Sequence, residues 1–365
     1  MPIQLKRSAV AGKIPTTAQI ALGELAVNTH DGRLFLKRDD GTEEIVELLT
    51  DISPRRDPDN RIINGSFDFW QRGTSGTLNG YPAADHFGNI GIGGTVTQSR
   101  QAHTLGDKFG SNSPSFYLRQ SVSGQSAAGD LGVTFTKCEG VRTYAGETIT
   151  VLGWVRRSSG SGNMAIEAQQ EFGTGGSPSA GVSGISPTTI TLTTDWEPFA
   201  AVINVPSIAG KTIGSNNNDS FRLDFWTSAG SDLNARTNSL GIQTIGVDLW
   251  GIHIKRGTHT ASATDFYRAP ELGPELARCQ RYFQRGSLFL QGTHDGSLAA
   301  MGTAGPLSVH MRANPTVALT LTANGGYSSG LTPQGTTFRS IGFNAVFDAG
   351  NGVFAFVDFT ADAEL

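Results

Sequence analysis

The feature that most constrains this chain is the two-residue rhythm of its apolar positions between Arg61 and about Ala269, in short runs broken by Gly and Ser. In ETITVLGWVRR, Ile149, Val151 and Val155 share one face and Leu152 and Trp154 the other. In SFRLDFWTS, Phe221, Leu223 and Phe225 alternate with Arg222, Asp224 and Trp226. Successive strand side chains point to opposite faces, so this rhythm predicts half-buried β-strands. Gly supplies 47 of the 365 residues and charged residues only 16%, a composition suited to tight turns and a weakly charged surface. The expected architecture is a β-sandwich of jelly-roll type, with a closed barrel as its competitor. TIGVDLWGIHIKRG reads as a long closing strand with a bulge at Gly251.

The flanks read differently. Residues 1–50 are charge-rich and carry two hairpin signals, Asp31-Gly32 and Asp40-Gly41, because Gly accepts the positive φ of a tight turn. A module this small has little core of its own, which implies oligomerisation or docking. Residues 51–60 read as a linker stiffened by Pro54 and Pro58. The sandwich is assigned to 61–269. From 270 to 365 the chain offers a short connecting helix and a C-terminal β domain. In PELGPELARCQRYFQR, Leu272, Leu276, Cys279 and Phe283 form a helical stripe with Gly286 as terminator. PLSVHM, TVALTLTA and GVFAFVDFTA are the clearest later strands. The last is apolar on both faces, as expected of a central strand or one buried against a neighbouring subunit. The fold class is therefore mainly β in three modules, consistent with the chain length.

The formal net charge of −4 and the lack of any basic groove in the sequence argue against specific nucleic-acid binding. Cys138 and Cys279 stand alone and are expected to be reduced core thiols. No apolar run has the length of a leader or a membrane span, so delivery by an ordinary leader and embedding in a membrane are not expected.

For chemistry, the aromatics come first. Trp70, Tyr81, Phe87, Trp154, Trp196, Trp226 and Trp250 offer flat apolar area to the C–H face of a sugar ring, with neighbouring Asp or Asn groups for its hydroxyls. Core packing is the competing use of each. The carbohydrate-binding candidates are Trp70, Tyr81, Asp85, Trp154, Asp224 and Trp226. Glycoside cleavage needs two facing carboxylates, and no spacing pairs any two of Asp85, Glu139, Glu147, Asp224 and Asp248. The GSNNNDS patch around Asp219 is read as a loop before a calcium site. The seven scattered histidines make no zinc motif. GNIGIGGTV lacks the strand–turn–helix setting of a dinucleotide fingerprint. No cofactor or metal is expected, and no catalytic residue is assigned.

Three segments together resemble the tail-fibre and spike proteins of bacteriophages and of phage-derived particles such as gene transfer agents. Ile3 to Lys37 is similar to the attachment module of such fibres. Asn60 to Phe87, NRIINGSFDFWQRGTS…YPAADHF, is similar to the opening of their jelly-roll domain and of related carbohydrate-binding modules. Phe266 to Arg285 is similar to the join with a C-terminal β domain. Asn64, Phe67, Trp70, Gln71, Arg72 and Asp85 match the pattern, whereas Phe87 stands where relatives often carry Trp. The resemblance implies a homotrimer on a virion or phage-like particle surface. Its N-terminal module would meet other virion proteins, and its distal domains would bind host capsular or surface polysaccharide non-covalently. Two other readings are a structural virion component that carries or spaces another receptor-binding protein, and a polysaccharide depolymerase.

Overall fold

The computed structural model describes residues 5–30, 32–48, 59–106, 109, 114–261, 267, 269–294, 299–348 and 350–365. The chain divides into two compact units, Met1–Arg56 and Asp57–Leu365.

The first unit is one four-stranded sheet, β1 (Lys6–Ser8), β2 (Leu25–Asn28), β3 (Arg33–Asp39) and β4 (Glu43–Glu47), in sequential order. Strand β1 runs parallel to β2, and the other pairs are antiparallel. Phe35 and Ala26 are buried together with Ile20. Lys37 shares the buried face of β3 because its ammonium pairs with Glu43 at 2.7 Å. The second expected hairpin turn is present, with Gly41 at φ +111° and its N–H donated to Asp39 Oδ1 at 2.9 Å. Asp31 of the first lies outside the described residues, although Asn28 opposes Arg33 across the β2–β3 pair.

The expected linker falls at 51–60, of which 51–58 lie outside the described residues. Its last residue belongs to the second unit. Asn60 is buried, and its Oδ1 accepts the N–H groups of Ile62 at 3.0 Å and Ile254 at 3.2 Å.

The second unit opens with β5 (Ser75–Gly76), β6 (Phe87–Ile92), β7 (Thr95–Ala102), β8 (Phe116–Ser123), β9 (Leu131–Glu139) and β10 (Thr148–Gly160). It continues with β11 (Asn163–Glu171), β12 (Val182–Thr191), β13 (Glu197–Asn204), β14 (Ser220–Ala229), the single-turn helix α1 (Asn234–Thr237) and β15 (Ile245–Arg256). These strands make a six-stranded sheet, β13-β10-β15-β8-β7-β5, and a five-stranded sheet, β12-β11-β14-β9-β6. They form a sandwich rather than a closed barrel. Ile149, Val151 and Val155 of β10 and Phe221, Leu223 and Phe225 of β14 all lie in one core. Each side chain of this size contributes about 1.5–3 kcal/mol when fully buried. Gly251 has φ +68° beside a register shift in the β10–β15 pair, which is the expected bulge. Cys138 and Cys279 are buried thiols that are not joined in a disulfide.

The chain continues with α2 (Leu272–Gln280), β16 (Phe283–His294), β17 (Ala299–Pro306), β18 (Thr316–Gly325), β19 (Tyr327–Thr337), β20 (Ser340–Phe347) and β21 (Gly350–Asp362). Two three-stranded sheets result, β16-β21-β18 and β17-β20-β19. Phe343, Ala345 and Phe347 meet Val353, Ala355 and Val357 between them. Strand β21 is central as expected, but its second face is open, with Phe356 43% exposed.

Two local expectations need correction. Helix α2 buries Glu275 and Cys279, while Leu272 is 62% exposed and Phe283 and Gly286 belong to β16. The apolar spacing misleads because the buried Glu275 carboxylate accepts the Asn64 N–H at 2.6 Å and pairs with Arg278 at 2.7 Å. PLSVHM is not a strand: β17 ends at Pro306, and Leu307 and Met311 plug a small satellite core. Among the described residues no helix is long and apolar enough to cross a membrane.

The GNIGIGGTV run is the β6–β7 hairpin. Gly93 and Gly94 both have positive φ, and a Cβ on Gly94 would lie 2.1 Å from the Ser123 carbonyl oxygen. Gly257 has a similar φ of +82° but open space around it. Gly94→Ala is therefore expected to cost about 2–4 kcal/mol, and Gly257→Ala about 1 kcal/mol. Urea midpoints of the two variants decide this, and equal shifts would contradict the steric argument.

Candidate functional site

The opening motif of the sandwich is a joint. Asn64 adopts φ +57°. Its Nδ2 donates to the carbonyls of Phe69 and Asp85, both at 2.9 Å, and its Oδ1 accepts the Phe69 N–H at 3.0 Å. Trp70 is 9% exposed and donates its indole N–H to the Phe67 carbonyl at 2.6 Å. The buried Asp85 carboxylate accepts the Gln71 N–H at 2.9 Å and Nε2 at 2.6 Å. Arg72 reaches out of the sandwich to Asp362 at 2.6 Å and Glu364 at 3.1 Å, and its guanidinium lies 3.8 Å from the centre of the Phe283 ring. His86 spans Glu364 at 2.9 Å and the Lys137 carbonyl at 2.7 Å. Phe87 is fully buried, its ring centre 4.6 Å from that of Phe67. Tyr81 lies between these groups, under Arg72 and edge-on to Phe135, with its hydroxyl buried. Of the sequence-derived candidates, Trp70 and Asp85 thus face the interior, while Asn64, Arg72 and His86 tie the sandwich to α2 and the chain's end.

Asp224 and Trp226 point away from the main core on the five-stranded sheet, as the alternation predicts, yet both are buried. The segment around α1 folds over them. Arg236 lies 4.8 Å from the centre of the Trp226 ring and reaches Asp224 at 3.3 Å. Glu167, directly across from Asp224 on β11, accepts Arg236 Nε at 2.8 Å and the Gly184 N–H at 2.5 Å. Gln169 and Arg222 complete the ring of donors to Asp224. Burial pushes the Glu167 carboxyl up from its ordinary range. Glu167 and Asp224 make an adjacent acid pair that the sequence spacing did not suggest, but neither is open to solvent.

The other acids weighed from the sequence are scattered among separate partners: Glu139 with Arg281 and Arg312, Glu147 with Arg256, and Asp248 with Arg119 and Arg156. In the GSNNNDS patch, Asp219 Oδ2 accepts the Val141 N–H and Asn218 Oδ1 the Thr174 N–H, each at 2.8 Å. These bonds tie one loop to its neighbours. Among the described residues no group of three metal-ligating side chains is assembled.

The outer face of the six-stranded sheet is organised differently. Strand register sets three rows across β10, β15, β8 and β7. The first is aromatic: Trp154 opposes Trp250, and Tyr117 opposes Gln101. Phe109 and Trp196 pack onto it, with ring centres 5.0–5.6 Å from their neighbours. The second row is Arg156, Asp248, Arg119 and Ser99. The third, of Gly246, Ser121 and Thr97, carries only small and hydroxyl-bearing groups, with Ser158 and Ser159 close to Gly246. Trp154, Arg156, Arg119, Ser121, Ser99 and Thr97 are all partly exposed. Of the six candidate residues, Trp154 is the one on this face. Arg119 and Arg156 escaped the sequence reading, although YLRQS and WVRR place each outward by alternation with Leu118 and Val155.

No protein-family model matches the chain, and no curated protein matches it significantly in sequence. Solved structures similar in fold include the enzymatically active domain of tailspike protein 4 of bacteriophage CBA120, at 12% identity and TM-score 0.33, over 54% of this chain and 21% of that one. Another is a xylan-binding domain from Paenibacillus barcinonensis, at 13% identity and TM-score 0.27, over 53% of this chain and 97% of that one. The N-terminal cellulose-binding domain of Cellulomonas fimi β-1,4-glucanase C is similar at 10% identity and TM-score 0.28, over 52% and 97%. The chain thus spans only about a fifth of the tailspike structure. With scores and identities this low, the functional reading rests on this chain's own residues.

The joint has a pH signature. Burial pushes the Asp85 carboxyl up to about 6, against the two hydrogen bonds from Gln71 that favour its charged form. A carboxyl that holds its proton more tightly folded than unfolded stabilises the fold most when protonated. Its contribution is full below the unfolded value near 4 and is lost as pH rises through about 6, a change of about 3 kcal/mol at most. Asp85→Asn should flatten this part of the stability curve, measured by urea midpoints between pH 4 and 7. A slope unchanged by the substitution would place the titration on another group.

Proposed function

We propose that this chain is a fibre or spike protein of a bacteriophage or phage-like particle that binds host surface polysaccharide non-covalently. The observation that supports this reading is the outer face of the six-stranded sheet. There, register lines up a half-buried indole, a charged row and a row of hydroxyls, which are the groups a sugar chain needs for stacking and hydrogen bonding. Each such contact is weak, and a homotrimer would combine several into useful avidity. The N-terminal unit suits the role of attachment module for other virion proteins. Among its described residues the buried apolar side chains are Ile20, Ala26 and Phe35, a core small enough to gain from association with other copies.

A structural virion component that carries or spaces another receptor-binding protein is the second reading. It draws on the opening motif, whose matched residues Asn64, Gln71 and Arg72 bond to α2, to β16 and to the chain's last residues. Depolymerisation has less support. The acid pair Glu167 and Asp224 is sealed and spanned by Arg236, so catalysis there would require the α1 segment to open.

The test is binding of the full chain to an array of bacterial capsular and surface polysaccharides, beside Ser121→Trp. The variant covers the hydroxyl row from a partly exposed position and is expected to fold normally. Loss of binding by at least tenfold at an unchanged Tm supports the assignment. Full binding by Ser121→Trp would move the site elsewhere.

A further inference from the structure

The second row of the six-stranded sheet carries more charge than its own partners neutralise. Asp248 is fully buried on β15, and register places Arg156 on one side and Arg119 on the other. Arg119 grips both carboxylate oxygens, with Nε on Oδ1 at 2.6 Å and Nη2 on Oδ2 at 2.9 Å. Arg156 reaches Oδ2 through Nε at 2.9 Å. The remaining Nη2 contacts go to the Tyr117 hydroxyl, at 3.3 Å from Arg119 and 3.0 Å from Arg156. Two guanidiniums are thus fixed against one carboxylate, which leaves one positive charge over.

The unspent donors are defined as well. Among the described residues neither Arg119 Nη1 nor Arg156 Nη1 has a hydrogen-bond partner. The two side chains are 26% and 28% exposed. Arg156 is held further by its position 4.7 Å from the centre of the Trp196 ring, so both forks are pre-organised. Beside them runs the row of Ser121, Gly246 and Thr97, whose own side chains are small.

We propose that this face selects acidic glycans, with the paired Nη1 groups of Arg119 and Arg156 receiving an oxyanion of the sugar chain. The inference rests on the glycan-binding reading and adds to it the class of ligand. A carboxylate, sulfate or phosphate presents the same chemistry to two charged Nη1 donors. A neutral chain leaves the surplus charge to water and gains only the hydroxyl and indole contacts.

The experiment uses the same polysaccharide array with the full chain, before and after chemical reduction of uronic carboxylates, and in parallel after removal of sulfate or phosphate esters. Arg156→Gln is measured beside the wild type. It is expected to fold because Arg119 still holds both oxygens of Asp248. The expected result is binding confined to acidic members, weakened about tenfold by whichever treatment removes the acid and by Arg156→Gln. The effective treatment identifies the oxyanion. Binding to neutral members, or binding that survives both treatments, overturns the acid selection and leaves the proposed function standing. Binding to no member by a folded chain overturns both. If Arg156→Gln is misfolded, Arg156→Lys replaces it, and undiminished binding by that variant counts against a fork-specific contact.

Discussion

Face selection by the strands is the constraint on which the rest of the second unit depends. Two sheets pack about 10 Å apart only if alternate side chains from both meet between them. Ile149, Val151 and Val155 on β10 and Phe221, Leu223 and Phe225 on β14 satisfy that condition. Once they turn inward, their neighbours have no choice of side. Trp154 and Arg156 must lie on one outer face, and Arg222, Asp224 and Trp226 on the other. A slip of one residue would bury the charges and expose the core.

The two outer faces then diverge through their coverings. On the five-stranded sheet the residues leading into and through α1 return across the surface, and Arg236 spans Glu167 and Asp224. Buried carboxylates are tolerated because each has several donors, and Trp226 becomes part of a satellite core. On the six-stranded sheet the aromatic row is packed by Phe109 and Trp196, while the rows beside it keep partial exposure. Similar alternation therefore yields a sealed polar layer on one side and an open face on the other.

The opening motif shows how a recognisable stretch can belong to architecture. Its polar groups, Asn64, Gln71, Arg72 and Asp85, are spent on the backbone around Phe69, on α2 and on the last residues of the chain. Such a joint makes the C-terminal domain and the sandwich one compact unit. It accounts for a motif whose Phe67 and Trp70 are both buried.

Much of this was legible in the sequence. The alternation and the glycine pattern pointed to the strands, the inward faces of β10 and β14 and the bulge at Gly251, because these follow from local backbone geometry and the side-chain period of two. The α2 stripe failed because a buried carboxylate, Glu275, outranks Leu272 once Asn64 donates to it across 211 positions. Only the tertiary structure decided which outward residues stay open. Trp154 and Trp226 look alike in their strands, yet the first keeps partial exposure and the second lies under Arg236. Likewise Arg119, Arg156 and Asp248 are strangers in sequence, and only the pairing of β8, β15 and β10 makes them neighbours. Periodicity assigns a side chain to a face, but what covers that face depends on where distant segments return, and no local pattern encodes that.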